Sequence, residues 1–460
     1  MAGDTASAAL RDLLLTTKDG DWGKELPEKG LVPHRVIRGT DFPGVRIGDT
    51  KSVPVRYLSE ATVHRRTLMP DDILLETAGG SPGLPTGRSL LITERLLSSL
   101  DLPATCASFA RFLRVDPSKA VPSFVYWYLQ YLYASGQMEE HQVQHTGVAR
   151  FQYTKFAETE QIPLPDPEEQ RAIAHILGTL DDKIELNWRM NETLEAIALA
   201  LFKSWFVDFD PARRNMARNG RGQPSSGTSR YTLPKVEGSE HRPSTSGGGA
   251  GVEGRIEKLD ALFPDSFEDS ELVEIPKGWK VRKLGDLLEL AYGKALKAND
   301  RNEGSVPVFG SNGQVGWHDE RLVAGPGIIV GRKGNPGVVT WAPTDFFAID
   351  TTFYVVPKPT CGSLHFLFHA LREQDLASLG ADSAVPGLNR NLAYLSDQVI
   401  PYAAILEVFE NMSASLSGRV YHANEEARTL AALRDTLLPK LISGELRVRD
   451  AERFIAKVGL

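Results

Sequence analysis

Between Asp166 and Phe209 runs a stretch, DPEEQRAIAHILGTLDDKIELNWRMNETLEAIALALFKSWFVDF, that leaves room for little except one long helix. Ile173, Leu180, Asn187, Leu194 and Leu201 recur every seven residues, and Ile176, Leu177, Ile184, Met190, Ile197 and Ala198 fill the positions three or four later. That period lays an apolar stripe along one side of a helix, and a stripe of this kind needs a partner helix. Pro165 and Pro167 suit the helix start, Glu168 and Glu169 match the positive end of its dipole, and Gly178 alone interrupts it. At about 1.5 Å per residue, the helix makes a rod of roughly 60 Å, a spacer or a docking rail.

The partner lies in the same chain. Past Pro401 the sequence turns helical again, AAILEVFENMSASLSGRVYHANEEARTLAALRDTLLPKLISGEL, and at a constant offset of 236 its apolar positions coincide with those of the first stretch. Ile173 falls on Phe409, Ile176 on Met412, Leu180 on Leu416, Ile184 on Val420, Leu194 on Leu430, Ile197 on Leu433 and Leu201 on Leu437. A match sustained at one register indicates duplication. Halves related by a pseudo-two-fold axis would run the helices antiparallel, with Asn187 and Asn191 fixing register inside the seam at a cost in stability. The competing reading has each helix packing on its own globular domain.

The chain divides at 1–165 (globular), 166–210 (first long helix), 211–274 (Gly/Ser/Arg-rich, then acidic), 275–402 (globular), 403–446 (second long helix) and 447–460 (tail). PSSGTSR and RPSTSGGGAG lack the apolar residues to hold a fixed structure and read as a flexible linker. A net charge of −7 excludes a polybasic nucleic-acid coat but not local DNA binding. The two cysteines, Cys106 and Cys361, lie far apart, which fits a reducing cytoplasm better than a disulfide or zinc framework. No signal peptide and no membrane span is read from the hydropathy pattern, so a cytoplasmic protein is expected.

Both globular segments mix short strand-like runs with turns. In the first, Thr77–Arg88 is dense in glycine and proline; it reads as an ordinary long turn or as a loop that presents Ser81, Thr86 and Arg88 to a duplex. The aromatics of PSFVYWYLQYLYASGQM read as core. In the second, Gly310-Ser-Asn-Gly313 and Gly331-Arg-Lys-Gly-Asn335 carry Ser311, Asn312, Arg332, Lys333 and Asn335. Arginine suits guanine and asparagine suits adenine, while glycine lets backbone approach closely; a plain β-turn with solvated charges is the alternative. Arg150 and the pair Asn389-Arg390 hold comparable places ahead of the two helices and are weaker candidates.

The sequence resembles the specificity subunit of type I restriction-modification systems over nearly its whole length. PLPDPEEQRAIAHILGTLDDKIELNWRMNETLEAIALALFKSWFVDFDP and TLAALRDTLLPKLISGEL are similar to that family's helical regions. GSNGQVGWHDE, GPGIIVGRKGNPG and IDTTFYVVP resemble one target-recognition domain, and GDT with PDDILLETAGGSPGLPTG resembles the other. The resemblance implies an α+β fold: two mixed α/β target-recognition domains separated by two long antiparallel coiled-coil helices, in an internal two-fold pseudo-repeat. It implies that each domain reads half of a bipartite double-stranded DNA target. It also implies that the helices dock two methyltransferase (M) subunits, joined by restriction/translocase (R) subunits. S-adenosylmethionine, ATP and Mg would then belong to those partners, with no cofactor in this chain. No Asn/Asp-Pro-Pro-aromatic run, Walker A sequence or nuclease carboxylate set appears, so a non-catalytic targeting subunit is expected. The alternative is a partner-binding scaffold of the same architecture that has lost DNA recognition. Glu168, Glu169, Arg171, Glu185 and Arg189 form the expected docking face of the first helix.

Overall fold

The structure, a computed structural model, describes residues 6–79, 85–145, 148–220, 258–380 and 387–457. It divides into two compact units, Met1–Asn191 with Ala423–Leu460, and Glu192–His422.

Two helices of 40 residues, Pro167–Phe206 and Ala403–Ile442, match the predicted pair. The Asp166 carboxylate accepts hydrogen bonds from the Glu168 and Glu169 N–H groups (3.0 and 2.9 Å), so the first helix is capped one residue ahead of Pro167.

In the first unit the two helices run antiparallel. Asp181 is paired with Arg434, Asn187 donates to Glu426 (3.0 Å) and Asn191 donates to Asn424 (2.7 Å), so partner numbers fall as the first helix advances. Ile173, Leu180, Leu430 and Leu437 lie in one core with the buried face of helix Pro122–Ala134, whose Phe124, Tyr126, Trp127 and Tyr128 are core residues as expected. Against this core stands an antiparallel sheet ordered Leu14–Asp19, Ala110–Val115, Ile73–Glu76, Ser89–Leu91. The sheet's other face (Leu74, Leu90, Phe112) shares a second cluster with Ile37, Ala104 and Cys106 of a three-stranded sheet ordered Val55–Ser59, Leu31–Ile37, Ala104–Cys106. Ala6–Ala9 pairs with Gln161–Leu164 just before the long helix.

The second unit repeats this topology. Its four-stranded sheet is ordered Leu288–Tyr292, Thr352–Pro357, Gly327–Gly331, Val339–Ala342, and its three-stranded sheet Gly313–His318, Val306–Gly310, Phe347–Ala348. The second pairing of the three-stranded sheet is parallel in both units, and Lys280–Lys283 with Asp397–Ile400 mirrors the short pair before the helix. Phe409 packs on Phe202 (6.0 Å between ring centroids) in this unit, while their repeat mates Ile173 and Leu438 share the core of the other. Trp205 and Phe206 fall on Leu441 and Ile442 at the same offset, and all four are buried. The repeat thus continues to the helix ends.

Three expectations are corrected. Ile197 and Met412 are 49% and 39% exposed, and Leu201 and Leu416 only partly buried, because one partner helix covers a stripe narrower than the full apolar set. Glu185 is not on a free docking face: it is buried and paired with Arg95 and Arg189. Burial pushes its carboxyl up, against the pull of those two arginines. Finally, 211–274 is not linker throughout. Asp210–Arg218 is a helix, and buried Asp260 is gripped by Arg214 (2.7 Å) and Arg218 (3.4 Å), which folds both ends of the segment into the second unit. PSSGTSR and RPSTSGGGAG lie outside the described residues.

Candidate nucleic-acid interface

In the second unit the two glycine turns meet. The Ser311 hydroxyl donates to the Lys333 carbonyl, and the Asn335 amide donates to that of Asn312. Thr351 O accepts from both Arg332 N (2.9 Å) and Lys333 N (3.1 Å), and Leu388 N donates to Arg332 O (2.9 Å). Gly331 is required here, since a Cβ on it would stand 2.1 Å from the Asn335 carbonyl oxygen. Asn312, Lys333 and Asn335 are exposed.

Beside the turns, Tyr292 is 51% exposed and lies under two guanidinium groups, Arg332 at 5.1 Å and Arg390 at 4.8 Å from its ring centre. Arg332 also faces Phe353 at 5.9 Å, and Arg390 donates to Leu290 O (3.2 Å). The Nε atoms of Arg332 and Arg390 are buried with no hydrogen-bond partner among the described residues. Lys294, exposed just past Tyr292, adds a further cation. An exposed aromatic set among cations and polar turns suits phosphates and base edges together. The arrangement thus unites Ser311, Asn312, Arg332, Lys333, Asn335 and Arg390, which the sequence leaves scattered. Two of these have other duties: the Ser311 hydroxyl staples the turns, and Arg390 is half-buried against strand Leu288–Tyr292. Asn389 is spent as a cap, accepting from Asn391 N (3.0 Å) and Leu392 N (3.4 Å). Tyr292 and Lys294 were missed, although an aromatic ahead of Gly293-Lys294 at the end of a strand is a visible signal.

The first unit's candidates fare differently. Thr86 is fully buried, and its N–H and hydroxyl both meet the Gln142 amide oxygen (2.9 and 3.2 Å). Arg88 forms a two-pronged pair with Glu76 (2.6 and 2.9 Å), a carboxylate 4% exposed, and so acts as an internal strut. Ser81 lies outside the described residues. Arg150 is exposed on strand Val148–Phe151, opposite Ala78.

No group of three or more His, Cys, Asp or Glu among the described residues is placed to hold a metal ion. One Ser–His–Glu arrangement exists in the second unit: His365 Nε2 lies 2.7 Å from Ser417 Oγ, and Nδ1 lies 2.8 Å from Glu410. The Ser417 hydroxyl also bonds back to Ser413 O (2.9 Å) on its own helix, and Glu410 holds Ser363 (2.6 Å) as well. Burial raises the Glu410 carboxyl, but the His365 and Ser363 hydrogen bonds more than offset it and leave it below its ordinary value. The cluster is a joint that ties helix Leu364–Glu373 to the long helix.

The family described as Type I restriction modification DNA specificity domain matches residues 39–196 and 276–397. The chain belongs to that family. It is a specificity subunit of a type I restriction-modification system with two recognition domains, one in each unit. It is 26% identical to the HindI specificity subunit of Haemophilus influenzae over 62% of this chain and 68% of that protein. With the MjaIX specificity subunit of Methanocaldococcus jannaschii it shares 25% identity over 70% of this chain and 69% of that one. The crystal structure of the type I S subunit from M. genitalium covers 96% of this specificity subunit and 97% of its own chain, at a TM-score of 0.53 and 16% identity, a likeness of fold. No described helix is long and apolar enough to cross a membrane.

Proposed function

We propose that each recognition domain reads one half of a split double-stranded DNA target, while the paired helices dock two methyltransferase subunits and, through them, restriction/translocase subunits. In this reading the chain supplies no catalytic group. S-adenosylmethionine, ATP and Mg belong to the partners, and the complex works in the cytoplasm. The observation that carries it is the convergence of the two glycine turns of the second domain on the Tyr292–Arg332–Arg390 cluster. Lys333 supplies a phosphate contact, and Arg332, Asn312 and Asn335 supply base-edge donors and acceptors. The exposed Glu168, Arg171, Asp182 and Leu186 form the docking stripe on the first helix, without the buried Glu185.

The test is to co-express the chain with its methyltransferase subunits and map methylated adenines across a genome. A motif of two short blocks separated by unspecified bases is expected. A single contiguous motif from an active complex would refute the two-domain reading.

A further inference from the structure

The two recognition domains can be aligned by their backbone hydrogen bonds, and the alignment locates a surface in the first domain that the sequence does not mark. Gly331 N donates to Val338 O (2.8 Å) and Glu76 N donates to Arg88 O (2.8 Å), so Gly331 corresponds to Glu76 and Arg88 to Val338. Thr351 O accepts from Arg332 N and Lys333 N, as Phe109 O accepts from Thr77 N (2.8 Å) and Ala78 N (3.2 Å). Leu388 N donates to Arg332 O, as Phe151 N donates to Thr77 O (2.9 Å). Gly293 and Gly20 both lie where a Cβ would meet a carbonyl oxygen at 2.1 Å, Ile349 O in one domain and Cys106 O in the other.

The position of Tyr292 is therefore held by Asp19, that of Phe353 by Arg111, and that of Arg390 by Tyr153. These three residues are in contact. Arg111 donates to Asp19 (2.7 Å) and its guanidinium lies 4.2 Å from the centre of the Tyr153 ring. The Arg111 Nε is buried with no hydrogen-bond partner among the described residues, as are the Nε atoms of Arg332 and Arg390. The group borders an open cleft of about 450 Å³ whose walls include Thr77, Gln152 and Lys155. Phe109, 63% exposed, and Arg150 stand beside it, tied to Thr77 and Ala78.

We infer that the first recognition domain reads its half of the target through the Asp19–Arg111–Tyr153 group and Gln152, with Lys155 on the phosphate backbone, and not through the Thr86–Arg88 loop. The inference rests on the second domain's cluster being a base-reading surface. Asp19 keeps a half-exposed carboxylate, an acceptor suited to the amino group of cytosine or adenine, and Arg111 holds it in place. The site keeps the cation and aromatic of the second domain with their places exchanged. The two domains are thereby set to read different half-sites from one scaffold.

The complex with its methyltransferase subunits tests this by adenine-methylation mapping and by duplex binding at several salt concentrations. D19N, which exchanges one acceptor for a donor, and Q152A are expected to relax one half-site by roughly ten- to hundred-fold in base discrimination and to leave the other half unchanged. K155A should weaken all duplexes alike and lower the salt slope by about 1. N335A serves as the control for the second domain. If N335A relaxes its half while D19N and Q152A change nothing, the assignment falls and the reading of the second domain stands. If none of the three alters either half, both assignments fall.

Discussion

His369 gives the second unit a built-in sensitivity to acid. The side chain is 3% exposed, its ring stacks on Phe202 (5.4 Å between centres) and it meets the edges of Phe368 (5.1 Å) and Phe409 (6.1 Å). Burial, reinforced by the charge of Arg372 and the neighbouring His365, pushes its pKa from 6.5 down to about 3. The folded imidazole therefore stays neutral where the unfolded one takes up a proton. Its share of stability is complete above pH 6.5 and is lost as the pH falls below it. At about 1.4 kcal/mol per pH unit, the loss reaches about 2 kcal/mol at pH 5. Urea unfolding of the full chain at pH 7.5 and pH 5 measures it, with His369→Phe as the comparison because the variant keeps a stacked ring and has no proton to bind. The variant should lose about 2 kcal/mol less than the wild type between the two pH values. Equal losses would mean that the buried ring is not held neutral.

Three other substitutions separate scaffold from reading surface. Arg88→Ala leaves the Glu76 carboxylate buried and unpaired, which should cost the first unit about 3 kcal/mol in urea unfolding while the methylated motif stays the same; a changed motif in a stable variant would return Arg88 to the DNA. Gly331→Ala forces a Cβ against the Asn335 carbonyl, so it should abolish recognition of one half-site and leave methyltransferase docking intact in pull-down assays; retained recognition would show that the turn yields. Asn191 buries an amide oxygen with no partner among the described residues, and Asn191→Leu should raise stability by about 1 kcal/mol in urea unfolding of the full chain. A lowered midpoint would show that the amide favours the fold.

The helix pair was legible because a seven-residue period survives duplication without insertions: one offset carries the match from Ile173 to Leu437. The same periodicity overstated the seam, since it cannot tell a position under the partner from one at its edge, as with Ile197 and Met412. The residue-by-residue correspondence between the recognition domains stayed hidden. Residues 77–88 separate strands Ile73–Glu76 and Ser89–Leu91 in one domain and residues 332–338 separate Gly327–Gly331 and Val339–Ala342 in the other, so no constant offset aligns them. Arg88 illustrates the difficulty with charged residues near loops. In sequence it is a cation beside glycines, and only the fold shows that Glu76, on the paired strand, claims it.

What the two domains keep and what they change point to the same conclusion. Kept are Gly20 and Gly293, where a side chain has no room, and the backbone bonds that hold the Thr77 and Arg332 turns against the Phe109 and Thr351 carbonyls. These are requirements of the chain path, indifferent to what the surface carries. Changed are the side chains that project from that path: Tyr292 against Asp19, Arg332 against Thr77, Arg390 against Tyr153, Phe353 against Arg111. Exchange at such positions costs the fold little because the ion pair or the cation–aromatic contact is rebuilt from different members in each domain. A targeting protein needs this separation. On one scaffold that carries two recognition domains, the variable chemistry must sit where the fold does not depend on it.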